Sequence, residues 1–148
     1  MTDYMPPPDP GAVENEADPD GKAHRVCLPR YFIGRYPVTV GQWRVFYDAY
    51  DPDGGQPWTR RLDGESLGNL DPRSLEAPTL CPVKHISWYD AIAYCAWLTD
   101  RLRDGARGQA PWTQTEPGAA LATLLLAGDE TGLRRPWVVT LPTEAEWE

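Results

Sequence analysis

The sequence predicts a loop-rich domain that combines amphipathic helices with short strands. Three observations carry this reading. Two segments repeat apolar residues at helical spacing, Trp137–Leu141 has the β-branched composition of a strand, and 16 Pro and 13 Gly punctuate what lies between. A chain of 148 residues with a hydrophobic fraction of 41% and seven Trp is long enough for one domain with a sizeable core.

Residues 1–21 combine PPPDP with acids and few large apolar groups, so they cannot offset the entropy lost on ordering. They are expected to form a disordered, acidic, Pro-rich leader, with the domain occupying residues 22–148. Six of the eight net negative charges fall in residues 1–20, which leaves the rest nearly neutral. An acidic balance repels phosphate backbones, so nucleic acid is not an expected partner. No apolar run approaches the roughly 20 residues that cross a bilayer, and the start lacks a basic segment followed by an apolar one. The expected setting is cytoplasmic, without membrane contact.

Arg25–Ile33 favours extended structure, and Pro29 in its middle predicts two short strands meeting at a bend. Gly34–Pro37 turns the chain, and Thr39 can cap a helix over Val40–Tyr50. Trp43, Phe46, Tyr47 and Tyr50 lie at i, i+3, i+4 and i+7, a stripe that reads as core more readily than as a stacking surface. Asp51–Pro82 has no sustained period, and Trp58 can anchor this long connection to the core.

His85–Leu102 is the longest clean helical run. Ser87 is its N-cap, Asp90 lies in its first turn, and Trp88, Ala91, Ile92, Cys95, Leu98 and Leu102 form the expected buried face. Asp104–Pro111 should break the chain, Pro117–Ala127 should form a small Ala/Leu helix ended by Gly128, and Trp137–Leu141 is the best strand. The final LPTEAEWE places Thr143 as N-cap and Glu146 three residues on, a capping box. Glu144 and Glu146 can serve as general acids, but two carboxylates in a first turn fit the helix dipole more simply. The helix they begin is barely under way at Glu148, which predicts a domain cut inside an element.

Cys27, Cys81 and Cys95 are odd in number and lack CxxC spacing, so they specify neither a zinc site nor a closed disulfide framework. His24 and His85 lie far apart, and a metal site made from them alone is not expected.

Three blocks together resemble the formylglycine-generating enzyme family, or sulfatase-modifying factor domain. They are YFIGRYPVTVGQW at Tyr31–Trp43, PVKHISWYDAIAYCAWL at Pro82–Leu98, and LPTEAEWE at Leu141–Glu148. The resemblance implies an α+β, loop-rich fold related to the C-type lectin fold, apparently truncated, with the C-terminal half of the domain missing. It implies copper or non-haem iron, and calcium, in a full-length domain. It transfers no catalytic, cofactor or metal residue to this chain, because the family's copper-binding cysteine pair matches none of Cys27, Cys81 and Cys95. Residues 104–138 exceed the family pattern and read as an insertion, as in bacterial members fused to sensing or NTPase modules.

Two functions follow from that resemblance. One is oxygen-dependent oxidation of a protein or small-molecule thiol, with a client protein or peptide as partner and this chain inactive alone. The other is a non-catalytic ligand- or protein-binding module on the same scaffold, presenting Trp58, Arg60 and Arg61 on the long loop.

Overall fold

A computed structural model describes residues 14–17, 23–28, 30–59, 66–127 and 136–147. The described parts fall into two compact units, one within residues 1–35 and 142–148 and the other within 36–141.

In the first unit, strands β1 (Glu14–Ala17) and β2 (Ala23–Val26) pair antiparallel, with Glu14 opposite Val26 and Ala17 opposite Ala23. Strand β1 falls inside the stretch whose composition predicts no structure; backbone pairing needs no apolar side chain and competes there with sequence polarity. The rest of residues 1–21 lies outside the described residues. Of the two short strands expected within Arg25–Ile33, the first is met only by Arg25 and Val26 at the end of β2, residues 30–33 join no ladder, and the bend at Pro29 lies outside the described residues. The short helix α4 (Glu144–Trp147) belongs to the same unit. Its capping box is present: Thr143 N–H donates to Glu146 Oε2 at 2.8 Å, and Glu146 N–H donates to Thr143 Oγ1 at 3.3 Å. The Thr143 N–H and hydroxyl together hold the Glu146 carboxyl below its ordinary range. Tyr31 donates its hydroxyl proton to the Glu146 carbonyl at 3.2 Å, tying the two ends of this unit together.

The second unit is built on helices α1 (Val40–Ala49), α2 (Trp88–Arg107) and α3 (Glu116–Leu126). Thr39 caps α1 in a capping box with Gln42. The N–H groups of Val40 and Gly41, which a helix leaves without internal partners, donate to the carbonyls of Cys81 and Thr79, each at 2.9 Å. Val83 N–H closes the pair by donating to Val38 at 3.0 Å, so the entry to α1 and the approach to α2 run side by side.

Trp43, Phe46, Leu70, Ala93, Tyr94 and Trp97 form the buried core. The α1 stripe behaves as expected, with Trp43 and Phe46 fully enclosed and Tyr47 and Tyr50 at the margin. The long connection contributes more than its composition suggests. Trp58 packs 5.9 Å from the Phe46 ring, and Leu70, Thr59 and Ser74 are all buried. Residues 60–65 lie outside the described residues.

Ser74 shows how this irregular segment is fixed. The Trp43 indole N–H donates to Ser74 Oγ at 3.0 Å, and that hydroxyl donates onward to the Asp71 carbonyl at 2.6 Å. Asp71 caps the single turn Pro72–Leu75, accepting from the Arg73 N–H at 2.9 Å and from its guanidinium at 2.6 Å. Those Arg73 hydrogen bonds, side chain first and backbone second, lower the Asp71 pKa from 3.8 to about 2. A depressed folded-state pKa contributes stability that is present above 3.8 and lost as pH falls toward 2. Asp71→Asn keeps an N-cap and removes the charge, so thermal unfolding followed from pH 5 to roughly pH 2 should fall less steeply in the variant than in the wild type.

Helix α2 runs past Leu102 to Arg107, through the residues expected to break it. Asp104 is paired with Arg101 at 2.8 Å and Arg107 at 3.5 Å, each one helical turn away. Gly105 survives mid-helix because the Trp112 indole packs where a side chain would stand, with Nε1 3.0 Å from an ideal Cβ. Helix α3 packs back against α2. It starts at Glu116 and ends at Leu126, one residue ahead of the expectation at each end; Gly128, its expected terminator, lies outside the described residues.

Candidate functional site

The buried face of α2 is rotated from the one its periodicity predicts. Tyr94 and Trp97 point into the aromatic core, 5.5 Å from Trp43 and from Phe46 respectively. Trp88, expected inside, is 55% exposed, and its neighbour Tyr89 is 41% exposed. The two rings meet edge to face at 5.2 Å. The capping box between Ser87 and Asp90, with donor–acceptor distances of 2.8 and 3.1 Å, fixes the turn that presents them.

From Trp88 the stripe continues through Ile92, Cys95 and Thr99, spaced close to one helical turn each. It forms the floor of an open groove of about 460 Å³. Trp58 and Leu67 line the groove from the long connection, and Val138–Thr140 from the segment after α3. A smaller hollow of about 330 Å³, more polar, lies between Asp51, Trp58, Trp97 and Asp100.

The expected strand Trp137–Leu141 is not in a ladder; its backbone is held by side chains of α2 instead. Arg103 donates to the Leu125 carbonyl at 3.3 Å and to the Trp137 carbonyl at 3.1 Å. Val139 N–H donates to Thr99 Oγ1 at 2.9 Å, and that buried hydroxyl donates to the Cys95 carbonyl at 2.9 Å. Thr99 and Arg103 are one turn apart on the groove side of the helix and act together as a clasp. Periodicity in the sequence points to neither, because both are polar residues in an apolar helix.

The chemistry of the groove is that of an apolar surface. Burial pushes the Cys95 thiol up, so it stays protonated at neutral pH and is not an activated nucleophile. Cys27 is exposed and Cys81 half-buried, and all three cysteines are free. His85 is exposed at the approach to α2 with φ at +57°, a conformation His adopts more readily than branched residues. Arg60 and Arg61 lie outside the described residues, as does the side chain of His24. Among the described residues no three His, Cys, Asp or Glu side chains converge on a common point. Nor, among them, is any helix long and apolar enough to cross a membrane.

Among the described residues, helices with little strand, a long packed connection and an apolar groove along the main helix make up the larger unit. The chain belongs to the family described as the Sulfatase-modifying factor enzyme 1-like domain, which residues 8–148 match. It is 32% identical to a hercynine oxygenase of Mycolicibacterium smegmatis over 86% of this chain and 35% of the relative. It is 30% identical to a hercynine oxygenase of Mycolicibacterium thermoresistibile over 78% of this chain and 32% of the relative. A serine/threonine-protein kinase, Pkn1, of Chlamydia trachomatis is 25% identical over 72% of this chain and 17% of its own length. The chain thus spans about a third of the hercynine oxygenases it matches. No solved structure gives a significant match.

Proposed function

We propose that these 148 residues are scaffold within an oxygen-dependent oxidase of the formylglycine-generating type, acting on a thiol-containing system. The observation that supports this most is the likeness to hercynine oxygenases at about 30% identity over roughly four fifths of the chain. Hercynine with a small thiol is therefore the first substrate pair to try, and a cysteine-containing client peptide the second. The scaffold is read as loop-rich, α+β and lectin-like. Copper or non-haem iron, and calcium, are assigned to residues other than those described, and the metal would supply the oxygen-activating chemistry. The residues described here supply an aromatic core, a clasped extended segment and a groove.

Oxygen uptake tests the reading. A protein that carries this chain within a family domain of the relatives' length should consume O2 with hercynine, a thiol and Fe(II), or with a cysteine peptide and Cu(I). Residues 1–148 alone should not. Absence of uptake in every longer protein would overturn the oxidase reading, and turnover by residues 1–148 alone would overturn the scaffold reading.

A second reading, a binding module without chemistry, draws on the kinase relative: a similar stretch occurs in a protein named for a different activity. Saturable binding of a client by a longer protein that never consumes O2 would favour it.

A further inference from the structure

Trp43, Tyr94, Trp97, Trp58 and Tyr50 form one chain of ring contacts through the core of the larger unit. Trp43 stands 5.5 Å from Tyr94, Tyr94 stands 5.7 Å from Trp97, and Trp58 stands 6.1 Å from Tyr50. Phe46 joins the two groups, its ring 5.5 Å from Trp97 and 5.9 Å from Trp58. Electron exchange between rings falls steeply with distance, and every step here is at the spacing of aromatic rings in contact. Burial runs in one direction along the chain. Trp43, Tyr94 and Trp97 are 1%, 7% and 8% exposed, whereas Trp58 and Tyr50 are half-buried. Trp58 lines both the groove and the smaller hollow, so it is where the rings meet open space.

The rings differ in the fate of a proton. A phenol or indole that loses an electron becomes a far stronger acid, so a stable radical forms where the proton can leave. The Tyr50 hydroxyl donates to the Gly68 carbonyl at 2.9 Å in an exposed position, and solvent can take its proton. The Tyr94 hydroxyl forms no hydrogen bond among the described residues. The Trp43 indole N–H is committed to Ser74 Oγ, which itself donates to the Asp71 carbonyl. Neither of these buried groups donates to a base.

We propose that the aromatic core is a one-electron relay, carrying an oxidising equivalent from the buried indoles of Trp43 and Trp97 through Trp58 to Tyr50 at the surface. The oxidant is of the oxygen-derived, one-electron class that an oxygen-consuming protein releases when it turns over without its substrate. It takes an electron from a core indole. Trp58 refills that indole and is refilled in turn by Tyr50, whose hydroxyl proton passes to solvent. One electron and one proton from a thiol or ascorbate then return the Tyr50 phenoxyl radical to the phenol. The protective purpose rests on the oxidase reading; the electron route does not.

Laser photoionisation of residues 1–148 at the red edge of indole absorption tests the route. Light reaches buried and exposed tryptophans alike, and nitrate collects the ejected electrons. Trp88→Phe and Tyr89→Phe first silence a separate Trp–Tyr pair, and further changes are made in that background. Indolyl absorbance should decay as phenoxyl absorbance grows, at a rate independent of protein concentration. A nitroso spin trap located by peptide mass spectrometry should sit on Tyr50, a readout that needs no change to the relay itself. Tyr50→Phe should abolish the phenoxyl growth, and Tyr94→Phe should leave it unchanged. Trp58→Phe keeps a ring in place and should strand the radical on the core indoles, slowing their decay and moving the trap off Tyr50. Trap label on Tyr94 or Tyr47, phenoxyl growth that survives Tyr50→Phe, a rate that rises with protein concentration, or decay indifferent to Trp58→Phe would overturn the relay. Radical transfer to Tyr50 without O2 uptake in the longer protein would leave the route standing and the oxidase reading refuted; the reverse result would do the opposite.

Discussion

Phe46→Ala is expected to lower the free energy of unfolding by about 3–5 kcal/mol, the range for emptying a fully buried aromatic site. Phe46 has no exposed surface, and its ring stands 5.0 Å from Trp43, 5.6 Å from Tyr50 and Tyr94, and 5.5 Å from Trp97. These neighbours come from α1 and α2, and Trp58 brings in the long connection. Deleting the ring leaves walls that cannot close on one another, because Trp43 is tied to Ser74 by its indole N–H. Aromatic pairs add about 0.5–1.5 kcal/mol each beyond burial when the geometry is edge to face, as it is between Phe46 and Tyr94 at 89°. Urea denaturation with near-ultraviolet circular dichroism measures this directly. Trp88→Ala is the comparison: with more than half of its surface exposed, it should change the midpoint little. A large loss at Trp88 and a small one at Phe46 would mean that the core is arranged about the other face of α2.

That comparison marks where sequence and structure part. The α1 stripe was legible because α1 has one dominant aromatic face, and Trp43 and Phe46 have no competing position. Helix α2 carries two apolar stripes, one through Tyr94 and Trp97 and one through Trp88, Ile92 and Cys95. The helical spacing read from the sequence picks out only the second, and periodicity alone does not say which stripe meets α1. Cys95, shared by the flanks of both, is buried on either choice. The caps at Thr39, Ser87 and Thr143 were legible for a different reason: a cap is a local hydrogen-bond pattern within four residues, so no long-range information is needed. The clasp was not, since Thr99 and Val139 are forty residues apart. The groove likewise draws on Trp58, Ile92 and Val138, which nothing in the linear pattern brings together.

Gly118→Ala should be the other severe substitution, although it adds only a methyl group. Gly118 is buried in the first turn of α3, with its N–H donating to the cap hydroxyl of Thr115 at 3.2 Å. A Cβ there would overlap the Trp112 carbonyl oxygen and crowd Thr115 Oγ1 at 2.8 Å. The first obstacle is backbone, so it cannot swing aside as a side-chain tip would. Either α3 lifts or the turn Pro111–Gln114 moves, and each alternative has a consequence. Moving the turn displaces Trp112 from its packing over Gly105 on α2. Lifting α3 pulls the Leu125 carbonyl from Arg103 and the Leu124 carbonyl from Trp137. Helix propensity favours Ala over Gly by about 1 kcal/mol, which works against the loss but does not remove the clash. Overpacking of this kind costs about 1–3 kcal/mol and more when backbone must shift, so the net expectation is destabilisation of about 2 kcal/mol. Hydrogen exchange can tell where it goes: the amides of Trp137 and Val139 should lose protection first, ahead of those around Phe46. An unchanged unfolding midpoint in Gly118→Ala would mean that α3 is not seated against Trp112 as described, and the clasp on residues 137–139 would then need a different support.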